Sequence, residues 1–156
     1  MKRLALVFAL IMALAAGFGC AKKTTGGEPG YDDGLTPEMR AAIQQITDAR
    51  VYFAFDKFNI QHEYKDMLKT KADLMKQYPS IRVRVEGNCD ERGTQEYNLA
   101  LGERRARAAY EYLVKLGVNP SQMEMLSYGK ENPAVQGSNE AAWSKNRRDD
   151  FRVIAH

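Results

Sequence analysis

Residues 85–106 read VEGNCDERGTQEYNLALGERRA, and this stretch decides the fold. Before it, Ile81-Arg82-Val83-Arg84-Val85 alternates apolar and charged side chains, the period of a strand with one buried face. After it, Thr94 reads as a helix N-cap, and Leu99, Ala106, Ala109, Tyr110, Leu113 and Val114 follow at helical spacing until Gly117 ends the helix. Between strand and helix lies the charged loop from Gly87 to Gly93. Strand ends in α/β sheets are common ligand sites. Asp90 falls in that loop, and helical spacing stacks Asn98, Leu101 and Arg105 on one face of the helix that follows. Arg104 is turned by about 100° from Arg105.

A loop carboxylate opposite a helical arginine forms a two-pronged polar clamp. It suits a zwitterion, whose ammonium meets the carboxylate and whose carboxylate meets the guanidinium. The plainer alternative is that Asp90 and Arg105 pair with each other and pin the loop to the helix. Spacing leaves both open.

Working outward, Val51-Tyr52-Phe53-Ala54-Phe55 is β-branched and aromatic and predicts a buried strand. Glu63 to Tyr78 carries one apolar helical face and is stopped by Pro79. Gln122–Tyr128 and Phe151–Ala155 predict two more strands, with a short helix over Glu140–Asn146 between them. The order β-α-β-α-β-α-β predicts an α/β sandwich (α+β), with helices packed on a mixed sheet, over residues 48–156.

Residues 1–47 read differently. Lys2-Arg3 precedes thirteen apolar residues, Leu4 to Ala16, and Gly17-Phe18-Gly19-Cys20 follow. This is the layout of a secretory signal over residues 1–19, too short to span ~30 Å of hydrocarbon as a helix. From residue 20 to 47 the chain is rich in Gly, Thr and charge and predicts a flexible tether. A short helix is predicted within it, with Thr36 as N-cap, Pro37 first, then Ile43 and Ile46.

The chain has 156 residues, 23 Lys+Arg and 20 Asp+Glu, for a net charge of +3. Without Lys2 and Arg3 the balance is 21 against 20, which argues against a nucleic-acid binder working by phosphate neutralisation. Two cysteines, Cys20 and Cys89, and two histidines, His62 and His156, supply neither a disulfide framework nor a metal centre. No cofactor is implied.

The run GNCDERGTQEYNLALGERRARA, with VYFAFD from Val51, SYGKENP from Ser127 and NRR from Asn146, resembles the OmpA-like peptidoglycan-binding domain over residues 50–156. Within that family the pattern is most similar to the outer-membrane lipoproteins of the Tol-Pal type. The resemblance implies non-covalent binding of the diaminopimelate in the peptidoglycan stem peptide, without catalysis. It assigns the ammonium to Asp90 and the carboxylate to Arg105, with Phe55, Asp56, Asn98 and Leu101 lining the groove. It also implies a TolB-like periplasmic partner, and a role linking outer membrane to wall in envelope integrity and cell division.

Cys20 sits where bacterial lipoproteins carry their acylated cysteine. Gly19 fits that pattern, Gly17 and Phe18 depart from it, and Ala21 favours the outer membrane over the inner. Asn88-Cys89 and the acidic pair Asp149-Asp150 are departures within the domain. Two rival readings are a module whose main partner is a TolB-like protein and a wall hydrolase using Glu86, Asp90 or Glu91.

Overall fold

Val83 and Val85 point into the apolar core while Arg84 and Glu86, their neighbours in the pleat, make ion pairs on the opposite face of the sheet. That alternation, set by the two-residue period of a strand, organises the whole domain. The computed structural model describes residues 34–156, so the signal, Cys20 and most of the tether lie outside the described residues. The elements are α1 (Pro37–Asp48), β1 (Val51–Tyr52), α2 (Lys65–Gln77), β2 (Arg82–Asn88), α3 (Gln95–Lys115), β3 (Met123–Gly129), α4 (Glu140–Asn146) and β4 (Arg148–Ala155). The four strands form one mixed sheet in the order β1-β4-β2-β3, with β2 and β3 parallel and the other pairs antiparallel. Leu68, Ala72 and Met75 of α2 and Ala106, Ala109 and Leu113 of α3 pack with Val83, Val85 and Phe151 of the sheet. The expected α/β architecture is therefore present.

Three details depart from the sequence reading. The first strand is two residues long, because its partner β4 starts at Arg148 opposite Tyr52 and the preceding residue, Arg147, belongs to the end of α4. The Phe53 N–H still donates to the Arg147 carbonyl at 3.0 Å, and the chain then turns, with Lys57 N–H donating to Ala54 O at 3.2 Å. Phe55 and Asp56 thus sit in a turn, and Phe55 is 58% exposed, not on a buried strand. Asp56 takes the left-handed conformation at φ 56°, which aspartate tolerates better than most residues.

The second detail is α1. It is capped at Thr36, as its sequence predicts, by a 3.2 Å bond from the Met39 N–H. It is no appendage: Ile46 is fully buried and belongs to the core. Its last turn carries no basic residue, and Lys71 of α2 supplies one by donating to the Ile46 carbonyl. A cation at a helix C-terminus satisfies an open carbonyl and complements the dipole. The folded unit takes in residues 34–156.

The third is β4, which begins three residues earlier than its apolar run. Arg148, Asp149 and Asp150 extend it, a charged start hidden from any hydrophobic pattern.

α3 lies unusually close to β2. A Cβ on Gly87 would stand 1.9 Å from the Gly102 carbonyl oxygen, and one on Gly102 would stand 2.3 Å from Ser127 Oγ. Helix and strand touch backbone to backbone, at the level where α3 presents Leu101 and Arg105 beside the loop after β2.

Candidate functional site

The loop after β2, the N-terminal half of α3 and the turn after β1 enclose a cavity of about 170 Å³. Asp90, Arg105, Phe55, Asp56, Asn98 and Leu101, the six residues singled out from the sequence, all line it. Arg92, Arg147, Tyr97, Gly93 and Cys89 complete the wall.

Asp90 and Arg105 do not pair. Arg92 grips the Asp90 carboxylate as a fork, Nε to Oδ1 at 3.0 Å and Nη2 to Oδ2 at 2.7 Å, and the Arg92 backbone N–H adds a bond to Oδ1 at 3.2 Å. Arg147 donates from Nη1 to Oδ2 at 3.2 Å. Burial pushes the Asp90 carboxyl up, but these donors outweigh it and hold the group below the ordinary aspartate range.

Arg105 is fully buried on α3 and spends its donors on main-chain carbonyls. Nε donates to Lys57 O and Nη1 to Asn88 O, both at 2.8 Å, and Nη2 reaches Ala54 O at 3.4 Å. It therefore fastens the turn after β1 and the end of β2 to the helix. Its guanidinium also lies 5.0 Å from the Phe53 ring centre. Burial lowers its proton affinity from the usual arginine value, against the opposing influence of Cys89, Asp149 and Asp90. Neutral carbonyls leave its positive charge uncancelled.

Asn98 is buried and donates to Arg92 O at 2.8 Å and Thr94 O at 3.0 Å, so it ties the loop down at the start of α3. Thr94 caps that helix by accepting from the Tyr97 N–H at 3.2 Å. The Tyr97 hydroxyl donates to Asp56, joining the cavity's two rims. Arg104 is exposed, its guanidinium 5.9 Å from the Phe58 ring. Cys89 is buried with Sγ 3.4 Å from both the Asn98 carbonyl and Arg105 Nη1. Burial pushes its thiol up to about 11 despite Arg105, so it is a packing residue and a poor nucleophile.

Sequence reasoning did not reach Arg92, Arg147 or Trp143. The Arg92 guanidinium is stacked between Phe55 and Trp143, at 4.1 and 4.0 Å from the ring centres. Arg147 also donates from Nε to Phe53 O at 3.0 Å and makes an ion pair with Glu140. A signal for Arg92 existed in the spacing: an aspartate two residues before an arginine, in a tight loop, can take its backbone N–H as well as its side chain. Arg147 and Trp143 come from a segment distant in sequence, and only the NRR block marked it.

Among the described residues no cluster of three His, Cys, Asp or Glu side chains is placed to hold a metal ion. No helix among them is long and apolar enough to cross a membrane.

The OmpA family model matches residues 52–147. A peptidoglycan-associated lipoprotein of Pseudomonas putida is 40% identical over 159 residues, covering 92% of this chain and 93% of the relative. The chain belongs to the peptidoglycan-associated lipoproteins of the OmpA family. A relative of the same name from Pasteurella multocida is 55% identical over 98 residues, which cover 63% of this chain and 65% of that one, just under two thirds. Among solved structures, the crystal structure of the peptidoglycan-associated lipoprotein from Burkholderia pseudomallei is 46% identical with a TM-score of 0.66, covering 67% of this chain and 88% of that one. The C-terminal domain of Helicobacter pylori MotB superposes with a TM-score of 0.64 at 22% identity, covering 69% of this chain and 85% of that one, a likeness of fold alone. The OmpA-like architecture expected from the sequence is thus shared by a relative of high identity and by a structure alike in fold alone.

Proposed function

We propose that this chain binds peptidoglycan non-covalently and ties it to the outer membrane, with the cavity beside α3 as the grip. The observation that carries the reading is one cavity lined by a carboxylate, Asp90, and by a buried guanidinium, Arg105, that has no carboxylate partner of its own among the described residues. The names of the relatives point to the same ligand. Diaminopimelate is the part of the stem peptide that carries an ammonium beside a carboxylate, and so fits a site of both signs.

Binding requires a rearrangement. Four N–H donors already meet the two oxygens of Asp90, about as many as a carboxylate can take. An ammonium gains Asp90 only as Arg92 gives way. The Arg92 guanidinium already stacks between Phe55 and Trp143, a contact worth about 0.5–1 kcal/mol per ring at an exposed site, so its withdrawal from Asp90 costs that stacking as well unless the rings move with it.

The hydrolase alternative is disfavoured by the three acids it would use. Asp90 and Glu91 both sit below their ordinary pKa: Asp90 through its arginines, Glu91 through bonds from Ser138 and Trp143. Neither serves as a general acid near neutral pH. Glu86 lies on the other face of the sheet, paired with Arg152 at 3.1 Å.

Acylation of Cys20 would place the chain in the outer membrane, with the tether carrying the domain into the periplasm. A TolB-like protein is a second proposed partner, favoured by the exposed apolar rim of Phe55, Phe58 and Tyr97. Co-sedimentation with purified sacculi tests the tether: the protein is expected in the pellet with no soluble muropeptides released. Muropeptide release would favour the hydrolase, and a protein left in the supernatant would count against wall binding.

A further inference from the structure

Asp149 is a buried acid that none of the foregoing uses. In the sheet it stands between Val51 of β1 and Gly87 of β2. The pleat puts it on the face of Phe151, toward the core. It is fully buried, and neither side-chain oxygen has a hydrogen-bond partner among the described residues. The other buried carboxylates among those residues, Glu86 and Asp90, are both ion-paired. Burying a lone ionised carboxylate is so costly that the group keeps its proton instead.

The groups acting on it come from every side of the packing. From α3 it feels Arg105, the strongest opposing charge, and from its own strand Asp150 and Arg148. The thiol of Cys89, in the loop after β2, feels it in turn. At its register β1 and β2 present only Val51 and Gly87, which do not titrate. Burial comes first in setting its proton affinity and raises it well above the usual aspartate range, with the two arginines only partly offsetting.

Among the charges acting on Asp149, Arg105 is the one that lines the cavity. Its hydrogen bonds go to neutral acceptors, and one of the two Nη2 hydrogens has no partner among the described residues. We propose that Asp149 is a positioning residue for wall binding: its neutral form leaves the charge of Arg105 free for a ligand carboxylate, and its ionisation cancels that charge. The proposal rests on the reading of the cavity as a diaminopimelate site. Anion binding then weakens as pH rises, because the ligand carboxylate and an ionised Asp149 compete for one cation. Each pKa unit by which the bound ligand raises Asp149 is a tenfold loss of affinity between the low-pH and high-pH limits.

Full-length wild type and Asp149→Asn are compared from pH 4 to 8, with Asp149→Ala as a second neutral variant should the amide disturb folding. In urea unfolding, the native state of the wild type holds a proton that the unfolded chain has released. Its stability is therefore fully present below about pH 3.9, the unfolded value, and falls as pH rises through the folded one. The neutral variants lack that fall, and parallel curves would overturn the proposal. In calorimetric titration with meso-diaminopimelate, wild-type affinity is expected to drop about tenfold or more as pH rises through the folded pKa of Asp149 that the unfolding curves locate, while the variants stay level. The same profile in all three would overturn the proposal and leave the binding site standing. No binding by any of them at any pH, with the unfolding curves diverging as expected, would overturn the ligand reading and the binding role of Asp149 with it.

Discussion

Arg105 does two jobs with one side chain. It lines the cavity and it fastens three carbonyls, those of Ala54, Lys57 and Asn88. Arg105→Ala therefore removes ligand contact and frame together. With charge-assisted bonds worth roughly 1.5–3 kcal/mol each, the variant is expected to lose at least about 3 kcal/mol of unfolding free energy, which chemical denaturation would show. Loss of binding in that variant alone proves nothing about ligand contact.

Asp90 separates the effects better, because it bonds side chains and one local N–H. Its folded pKa is depressed, so its contribution to stability is present above the unfolded value near 3.9 and is lost as pH falls through the folded one. The stability gap between wild type and Asp90→Asn is thus expected to be widest near neutrality and to close below about pH 4. A gap that is constant from pH 7 to 3 would mean the arginine bonds do not hold the carboxylate. Cys89 makes a third residue-level test. With its thiol raised to about 11, alkylation at pH 8 mapped by mass is expected to be slow in the folded protein and to become fast in denaturant.

Asp90 and Arg105 were legible in the sequence because each is local: one loop residue, and one helix position in register with Asn98 and Leu101. Their partners were not. Arg92 lay beside Asp90, but nothing in the spacing said that it stacks on Trp143. Asp149 read only as half of an acidic departure from the family pattern, because burial of a polar strand start depends on what α3 lays over it.

At the scale of elements, the sequence pattern found α2, α3 and β2 by their one apolar face and β1 by its β-branched and aromatic run. It misjudged the length of β1 because a strand ends where its partner ends, and β4 starts only at Arg148. It also left α1 outside the domain, since the tie from Lys71 to the end of α1 joins residues 25 apart. Burial lowers the Lys71 pKa to about 8, with Asp48 partly opposing. The folded protein thus releases this proton before the unfolded chain does, and gains stability as pH rises from 8 toward about 10.4. Lys71→Met is expected to lose that rise, which urea midpoints across this range would reveal.

The contact of Gly87 with Gly102 yields a sharper test. A methyl on Gly87 meets backbone at 1.9 Å, so α3 must move. Gly87→Ala is expected to cost on the order of 1–3 kcal/mol and to weaken wall binding through the displaced Arg105, whereas Gly34→Ala, with nothing within 4 Å of its Cβ but a φ of 69°, should cost less and leave binding alone. Equal effects of the two would remove close helix–strand approach as the reason for these glycines.

On the scale of the whole molecule, an α/β domain with a two-signed cavity is read as the wall-facing end of a lipid-anchored chain. The fold is common to proteins as different in sequence as MotB, so function rests on the cavity. The most direct test is to load diaminopimelate-type sacculi with the full-length protein and add free meso-diaminopimelate, with cadaverine at equal concentration as control. Cadaverine carries two ammonium groups and no carboxylate. Release by diaminopimelate, and much less by cadaverine, is the predicted result; release equal for both, or by neither at saturating concentration, would contradict recognition through Asp90 and Arg105.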